Sequence, residues 1–216
     1  MQDIYDDIIL NDTKAWWDEQ YKSYSKDKIA HEDWLKMFEE IIITCDTLII
    51  DLGCGTGNDI KCLMEYGKKV IPCDYSEDAI KSIQINFPDI EIAKCFDMKE
   101  KFPFEDNFTS LIVADLSLHY FSEKDTERIL NEIKRVLKKD GILIFRVNSV
   151  NEKMDGELVE VEEHFYQTIE GYKRFFDKDD IVRFFEDWEI IFAQEERIIR
   201  YEKVKQLWKV AVKVKK

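Results

Sequence analysis

The sequence predicts an α/β domain built on a doubly wound, mostly parallel sheet. Three observations predict it. Short apolar runs of strand character alternate with amphipathic stretches of helical period. A glycine-rich turn, Gly53 to Gly57, stands between the first strand and the helix that follows it. Acids close the early strands, at Asp51, Asp74 and Asp97. Right-handed crossovers bring the ends of parallel strands to one edge of such a sheet, where ligands bind.

Taken in order, residues 1–45 read as helical and aromatic. Trp16, Trp17, Tyr21 and Tyr24 cluster, and Trp34, Leu35, Phe38, Ile41 and Ile42 follow at helical spacing. Thr47 to Asp51 is the first buried strand. Ile60, Leu63 and Met64 mark one helix face, which Gly67 stops. Val70 to Asp74 is the second strand, and its Pro72 argues against a long ladder there. Ser76 caps a helix with two acids in its first turn and an apolar stripe of Ala79, Ile80 and Ile83. Ile90 to Cys95 is the third strand. Ser110 to Asp115, nearly all apolar, suits a central parallel strand. Ser122 with Asp125 resembles a capping box before a helix carrying Ile129, Ile133, Val136 and Leu137. Gly141 ends the turn before a fifth strand, Ile142 to Val147. From Asn148 to Arg174 the periodicity is lost, and the stretch reads as an ordered loop. Asp177 caps a helix with Ile181, Val182 and Phe185, and Trp188 to Ala193 and Gln206 to Val214 are the closing strands.

Composition narrows the function classes. The chain has 216 residues, 45% of them hydrophobic, which is enough for one well-buried core. Thirty-two basic against 46 acidic residues leave a formal charge of −14, which argues against a general nucleic-acid binder. Five cysteines (Cys45, Cys54, Cys62, Cys73, Cys95) form no CxxC pair, and His31, His119 and His164 are scattered, so neither a disulfide framework nor a metal site is expected. Free thiols suit the cytoplasm. The acidic Met1 to Asp7 reads as no signal peptide, and no apolar run is long enough to span a membrane.

The strongest feature is Asp51-Leu52-Gly53-Cys54-Gly55-Thr56-Gly57, directly after a strand and opening a helix. Glycines let a ligand approach the backbone closely, and the helix start offers free N–H groups. Asp74, one strand on, can accept from ribose hydroxyls. The dinucleotide pattern GxGxxG fails, because Asn58 stands where its third glycine would be. A pyrophosphate would also meet Asp51 and Asp59. A nucleoside ligand with a cationic end fits better, as S-adenosylmethionine does.

This motif closely resembles the first motif of class I S-adenosylmethionine-dependent methyltransferases. The resemblance covers residues 30–148 well and the closing strands more loosely. It implies a Rossmann-like sheet of seven strands, the last antiparallel, in a single domain 1–216. That domain would comprise an N-terminal helical cap (1–45), a cofactor-binding core (46–148) and a closing region (149–216). It implies S-adenosylmethionine as cofactor and S-adenosylhomocysteine as product. Gly53 and Gly55 would approach the amino-acid part, which Asp51 would help hold. Asn58 would also bind the cofactor, Asp74 would hold the ribose and Tyr75 would lie against the adenine. Asp97 and Met98 would meet the adenine edge. Asp115 to His119 would face the methyl group and acceptor. Thr109-Ser110 replaces the Phe-Asp of many relatives, a local packing difference. The Asn/Asp-Pro-Pro-aromatic sequence of many amino-methylating enzymes is missing after the fourth strand. Asp115-Leu116-Ser117-Leu118 is similar instead to the small-molecule branch, including tellurite-resistance and thiopurine-type enzymes. The expected acceptor is a small molecule methylated on O, N or S, with no nucleic-acid or membrane partner; its identity and the oligomeric state stay open.

Methyl transfer from a sulfonium needs alignment above all, and proximity supplies ~7–11 kcal/mol. His119 is the candidate general base, because imidazole titrates near neutral pH; it could equally be a hydrogen-bonded sheet-edge histidine. Tyr120 and Phe121 are core or pocket wall. Arg146 and Arg174 could bind a substrate anion or pair with one of the many acids. Trp16, Trp17 and Tyr21 could lid the sulfonium or pack as an amphipathic helix. The closing lysines from Lys203 to Lys216 read as the outward face of a half-buried strand. Two rivals keep the same motif: a non-catalytic S-adenosylmethionine-binding module and an NAD-type oxidoreductase. Truncation before Ile29 tests the cap: a lid leaves a folded protein with weaker cofactor binding, whereas core packing predicts lost stability in thermal melts.

Overall fold

The computed structural model describes residues 16–17, 19–20, 33–152, 158–168, 171–200 and 203–216. Tyr21, Tyr24 and His31 lie outside the described residues. A 3₁₀ turn, Asp33–Phe38, runs into helix α1 (Glu39–Thr44). Then follow β1 (Ile49–Leu52), α2 (Asn58–Glu65), β2 (Val70–Asp74), α3 (Glu77–Asn86), β3 (Lys94–Cys95), β4 (Thr109–Asp115), α4 (Glu123–Val136) and β5 (Leu137–Asn148). After these come β6 (Val159–Glu162), β7 (Phe165–Thr168), β8 (Gly171–Arg174), α5 (Lys178–Phe184), β9 (Trp188–Arg200) and β10 (Lys203–Val214).

Seven strands form one sheet in the order β3-β2-β1-β4-β5-β10-β9. The first five are mutually parallel, and β10 lies antiparallel between β5 and β9. Every residue of β1 and β2 is buried, as a parallel sheet covered on both faces requires. One face packs on Trp34, Leu35, Phe38 and Ile42 with Ile60 and Leu63 of α2. The other packs on Ile129, Leu130 and Ile133 of α4 with Ile181 and Phe184 of α5. The crossover between the two halves lies at β1 and β4, so the switch point falls beside the Gly53–Gly57 loop.

Three expectations need correction. The third strand shrinks from Ile90–Cys95 to Lys94–Cys95, pairing only with Cys73 and Asp74. Pro72 has no N–H to donate, so the ladder begins after it. The stretch from Asn148 to Arg174 is not a loop throughout: β6, β7 and β8 form a second, antiparallel sheet. Its first turn is tight, with His164 in left-handed backbone at φ 59°, a conformation usually signalled by Gly or Asn. The closing strands are also longer than the apolar runs that marked them, because they pair with each other out to Arg200 and Lys203.

Caps terminate the helices as side-chain chemistry dictates. The Ser76 hydroxyl accepts from the Ala79 N–H, and Ser122 accepts from the Asp125 N–H. A reciprocal capping box is found at α5, where Asp177 and Asp180 each accept from the other's N–H. Asp177→Ala should destabilise the fold by about 1 kcal/mol, seen as a melting point about 2–4 °C lower.

Candidate functional site

The glycine loop is held by β2. The N–H groups of Gly53 and Cys54 both donate to the Cys73 carbonyl, at 2.7 and 3.0 Å. The Gly55 N–H donates to Asp74 Oδ2 at 3.0 Å, and the Ser76 N–H donates to Asp74 Oδ1 at 2.9 Å. Asp74 therefore fixes the loop and the start of the next helix together. Gly53 has φ 74°, and a Cβ there would lie 2.3 Å from the Ser117 Cβ and 3.4 Å from the Met98 methyl. Ser117 is locked in turn by donating to the Leu52 carbonyl at 2.7 Å. The loop after β4 thus packs directly on the glycine loop.

Four carboxylates converge here. Asp51, Asp59 and Asp74 are at most 6% exposed. Asp59 accepts from the Trp34 indole N–H at 2.7 Å. Asp115 receives a two-pronged bond from Arg146, Nε to Oδ1 at 2.6 Å and Nη2 to Oδ2 at 2.8 Å. Arg200 Nη2 lies 3.7 Å from the same Oδ2. Burial pushes Asp115 up, but the guanidinium charges outweigh it and hold the group below the usual carboxylate range. Asp51 has no such help. Its Oδ2 is buried with no hydrogen-bond partner, and burial together with Asp59, Asp115 and Asp74 raises it well above the ordinary range. Asn58 Oδ1 is a second buried acceptor without a donor.

The structure places the other expected residues as follows. Asp97 Oδ1 accepts from the Lys99 N–H, Met98 is buried beside Gly53, and Tyr75 is half-buried after β2. His119 is buried, its Nδ1 lacks a partner, and its ring lies 4.3 Å from that of Tyr120. Burial, then Lys173, Lys205 and Arg200, push the imidazole well below its usual value, so it is neutral and departs from the near-neutral titration expected of it. Trp17 meets the Tyr120 ring edge-on at 6.1 Å, so part of the N-terminal segment does reach this side. Of the two readings of Arg146, the structure shows the ion pair and not an open place in the substrate pocket. Its guanidinium is 1% exposed, bound to Asp115 and set 4.7 Å from the Trp34 ring, because a buried cation must be paired. Cys54 and Cys73 are pushed well up, first by burial, and stay protonated.

Sequence reasoning missed Trp34 and Arg200 as parts of the site, whereas Ser117 lies inside the expected Asp115 to His119 stretch. Trp34 was visible only as one member of an apolar stripe, and nothing local marks its N–H for Asp59. Arg200 stands at the far end of a strand whose apolar signal stops at Ala193.

Residues 50–145 match the family described as a methyltransferase domain. Over 154 residues the chain is 30% identical to the tRNA N(3)-methylcytidine methyltransferase Mettl2 of Drosophila melanogaster, covering 62% of this chain and 47% of that one. It is 30% identical over 145 residues to the mitochondrial arginine-hydroxylase NDUFAF5 of Rattus norvegicus, covering 65% and 41%. The chain thus spans about half the length of these curated relatives or less. The fold matches the solved S-adenosylmethionine-dependent methyltransferase from Anabaena variabilis at a TM-score of 0.72 and 17% identity, covering 95% of this chain and 94% of that one. The architecture is the Rossmann-like methyltransferase fold, and the cofactor of such domains is S-adenosylmethionine. The residues present fit that group, since two buried acceptors without donors, Asp51 Oδ2 and Asn58 Oδ1, suit an ammonium.

The native Asp51 titrates above its unfolded value. Its stabilising effect is complete below the ordinary carboxylate range and is lost as pH rises through the raised value. Asp51→Asn should therefore raise the melting point of the ligand-free protein at alkaline pH, by about 2–4 °C for each kcal/mol recovered, and leave it unchanged at pH 4. The same variant should bind S-adenosylhomocysteine more weakly by calorimetry.

Proposed function

We propose that this chain, whose residues 50–145 form a methyltransferase domain, transfers a methyl group from S-adenosylmethionine to O, N or S of a small-molecule acceptor. The observation that carries the reading is the pair of donor-free acceptors, Asp51 Oδ2 and Asn58 Oδ1, at a glycine loop braced by Asp74. A site so rich in buried carboxylate suits a cationic nucleoside and repels a pyrophosphate.

Bound there, S-adenosylmethionine supplies a methyl on a sulfonium, a leaving group already activated. The chain's part is mainly to bind and orient. The loop and Asp74 form one rigid unit through the Gly55 and Ser76 N–H groups. Asp115 is neutralised by Arg146 and so adds little net charge at the β4 tip. His119, neutral and with Nδ1 unpartnered, can take the acceptor's proton at that nitrogen. Tyr120 and the edge of Trp17 wall the same side.

Three considerations support a small acceptor. The formal charge of −14 opposes a polyanion. The sequence after β4, Asp115-Leu116-Ser117-Leu118, is similar to the tellurite-resistance and thiopurine-type branch. A structural neighbour of 17% identity from Burkholderia thailandensis (TM-score 0.63, covering 85% of this chain and 80% of that one) is a 1,6-didemethyltoxoflavin-N1-methyltransferase solved with that small molecule and S-adenosylhomocysteine. The tRNA enzyme among the relatives favours a second reading, a nucleic-acid acceptor.

Calorimetric titration with S-adenosylmethionine and S-adenosylhomocysteine should give saturable binding that weakens at least about tenfold in Asp74→Ala, a loss of 1.4 kcal/mol or more. A folded protein that binds neither would sink the reading. With a radiolabelled methyl donor, label should enter a small-molecule pool rather than tRNA; label in tRNA would move the proposal to the second reading. His119→Ala should lower turnover about 10²–10⁴-fold and leave S-adenosylhomocysteine affinity intact. Unchanged turnover would remove His119 from the mechanism.

A further inference from the structure

We propose that Arg174 is the positioning residue of the acceptor side: it clamps the backbone of His119, Tyr120 and Phe121 and so fixes the imidazole. The proposal rests on the reading of His119 as the proton acceptor. Two bonds from this one residue close on that three-residue stretch. The Arg174 main-chain N–H donates to the His119 carbonyl at 2.7 Å, and the side chain adds the second bond, Nε to the Phe121 carbonyl at 3.2 Å, which is the one a lysine loses.

The clamp is anchored from behind. The Arg174 side chain is fully buried, between the rings of Phe165 at 5.1 Å and Phe184 at 5.6 Å. Its Nη1 donates to the Glu163 carbonyl at 3.1 Å, and its Nη2 to Glu162 Oε2. That same Glu162 oxygen accepts from the Glu123 N–H, the first residue of α4, at 2.9 Å. The small sheet β6–β8 is therefore bolted to the middle of the connection between β4 and α4 and to its α4 end. A planar fork of donors is needed, because the acceptors lie in different directions; a lysine has one ammonium and cannot reach them together.

The consequence falls on a group the clamp does not itself touch through its ring. His119 is walled by Tyr120 and faced by Lys173 from β8, Arg200 from β9 and Lys205 from the start of β10. Lys205 is itself paired with Glu152, and Arg200 lies by Asp115. Burial is the leading cause of the imidazole's neutrality, and burial lasts only while the loop is held against β8.

The test is the imidazole titration of His119 in the whole chain labelled with ¹⁵N-histidine, with and without S-adenosylhomocysteine. The three histidines are few enough to assign, using His119→Gln. Wild-type His119 should stay neutral where an ordinary histidine protonates. In Arg174→Lys its titration should move up towards the ordinary value, while S-adenosylhomocysteine affinity stays within about twofold, as for a site not sharing partners with the ligand. A wild-type titration in Arg174→Lys overturns the proposal. If that variant does not fold, Glu162→Gln decides: a smaller shift in the same direction supports the clamp, and no shift overturns it. Failure of every form to bind S-adenosylhomocysteine would defeat the cofactor reading alone, since the ligand-free titration still tests the clamp.

Discussion

Four buried carboxyl groups at one sheet edge have to be given donors or a proton, and the way each is satisfied arranges the rest of the site. Asp74 takes backbone N–H groups and thereby fixes the glycine loop. Asp59 takes an indole and thereby pins the N-terminal helices to the core. Asp115 takes two guanidinium groups and thereby ties β4 to β5 and β9. Asp51 keeps its Oδ2 buried without a donor from the protein. An unsatisfied buried polar atom is expensive, so one such carboxyl oxygen among three satisfied groups sets Asp51 apart from its neighbours.

The sheet made this arrangement possible by bringing strand tips together. Much of it was legible in the chain. β1, β2 and β4 are near-continuous apolar runs, and the helices between them carry stripes and serine caps that act locally. The strand-tip acids were legible for the same reason, because each stands directly after an apolar run. What escaped was tertiary. Nothing near Trp34 tells of Asp59, 25 residues on. β6 shows outward valines at Val159 and Val161, which reverses the usual inward apolar pattern. The Glu163–His164 turn that follows lacks a glycine where the backbone turns left-handed. Arg146 was readable as either a substrate ligand or a partner in an ion pair, and only the placement of Asp115 decides between them.

The two sides of the site are supported differently. The cofactor side hangs on backbone bonds between the glycine loop and β2, within the most buried part of the sheet. The stretch from His119 to Phe121 is held instead by Arg174 of the second sheet, through its main-chain N–H and its Nε.

Trp34 has a further consequence. The Asp59 carboxylate sits at the N–H edge of its indole and the Arg146 guanidinium over its face, so the ring lies in the field of both charges. Light moves charge across an indole, and the energy of that transition follows the field along the ring. The two charges beside this one ring therefore tune its absorption and emission apart from those of the other tryptophans.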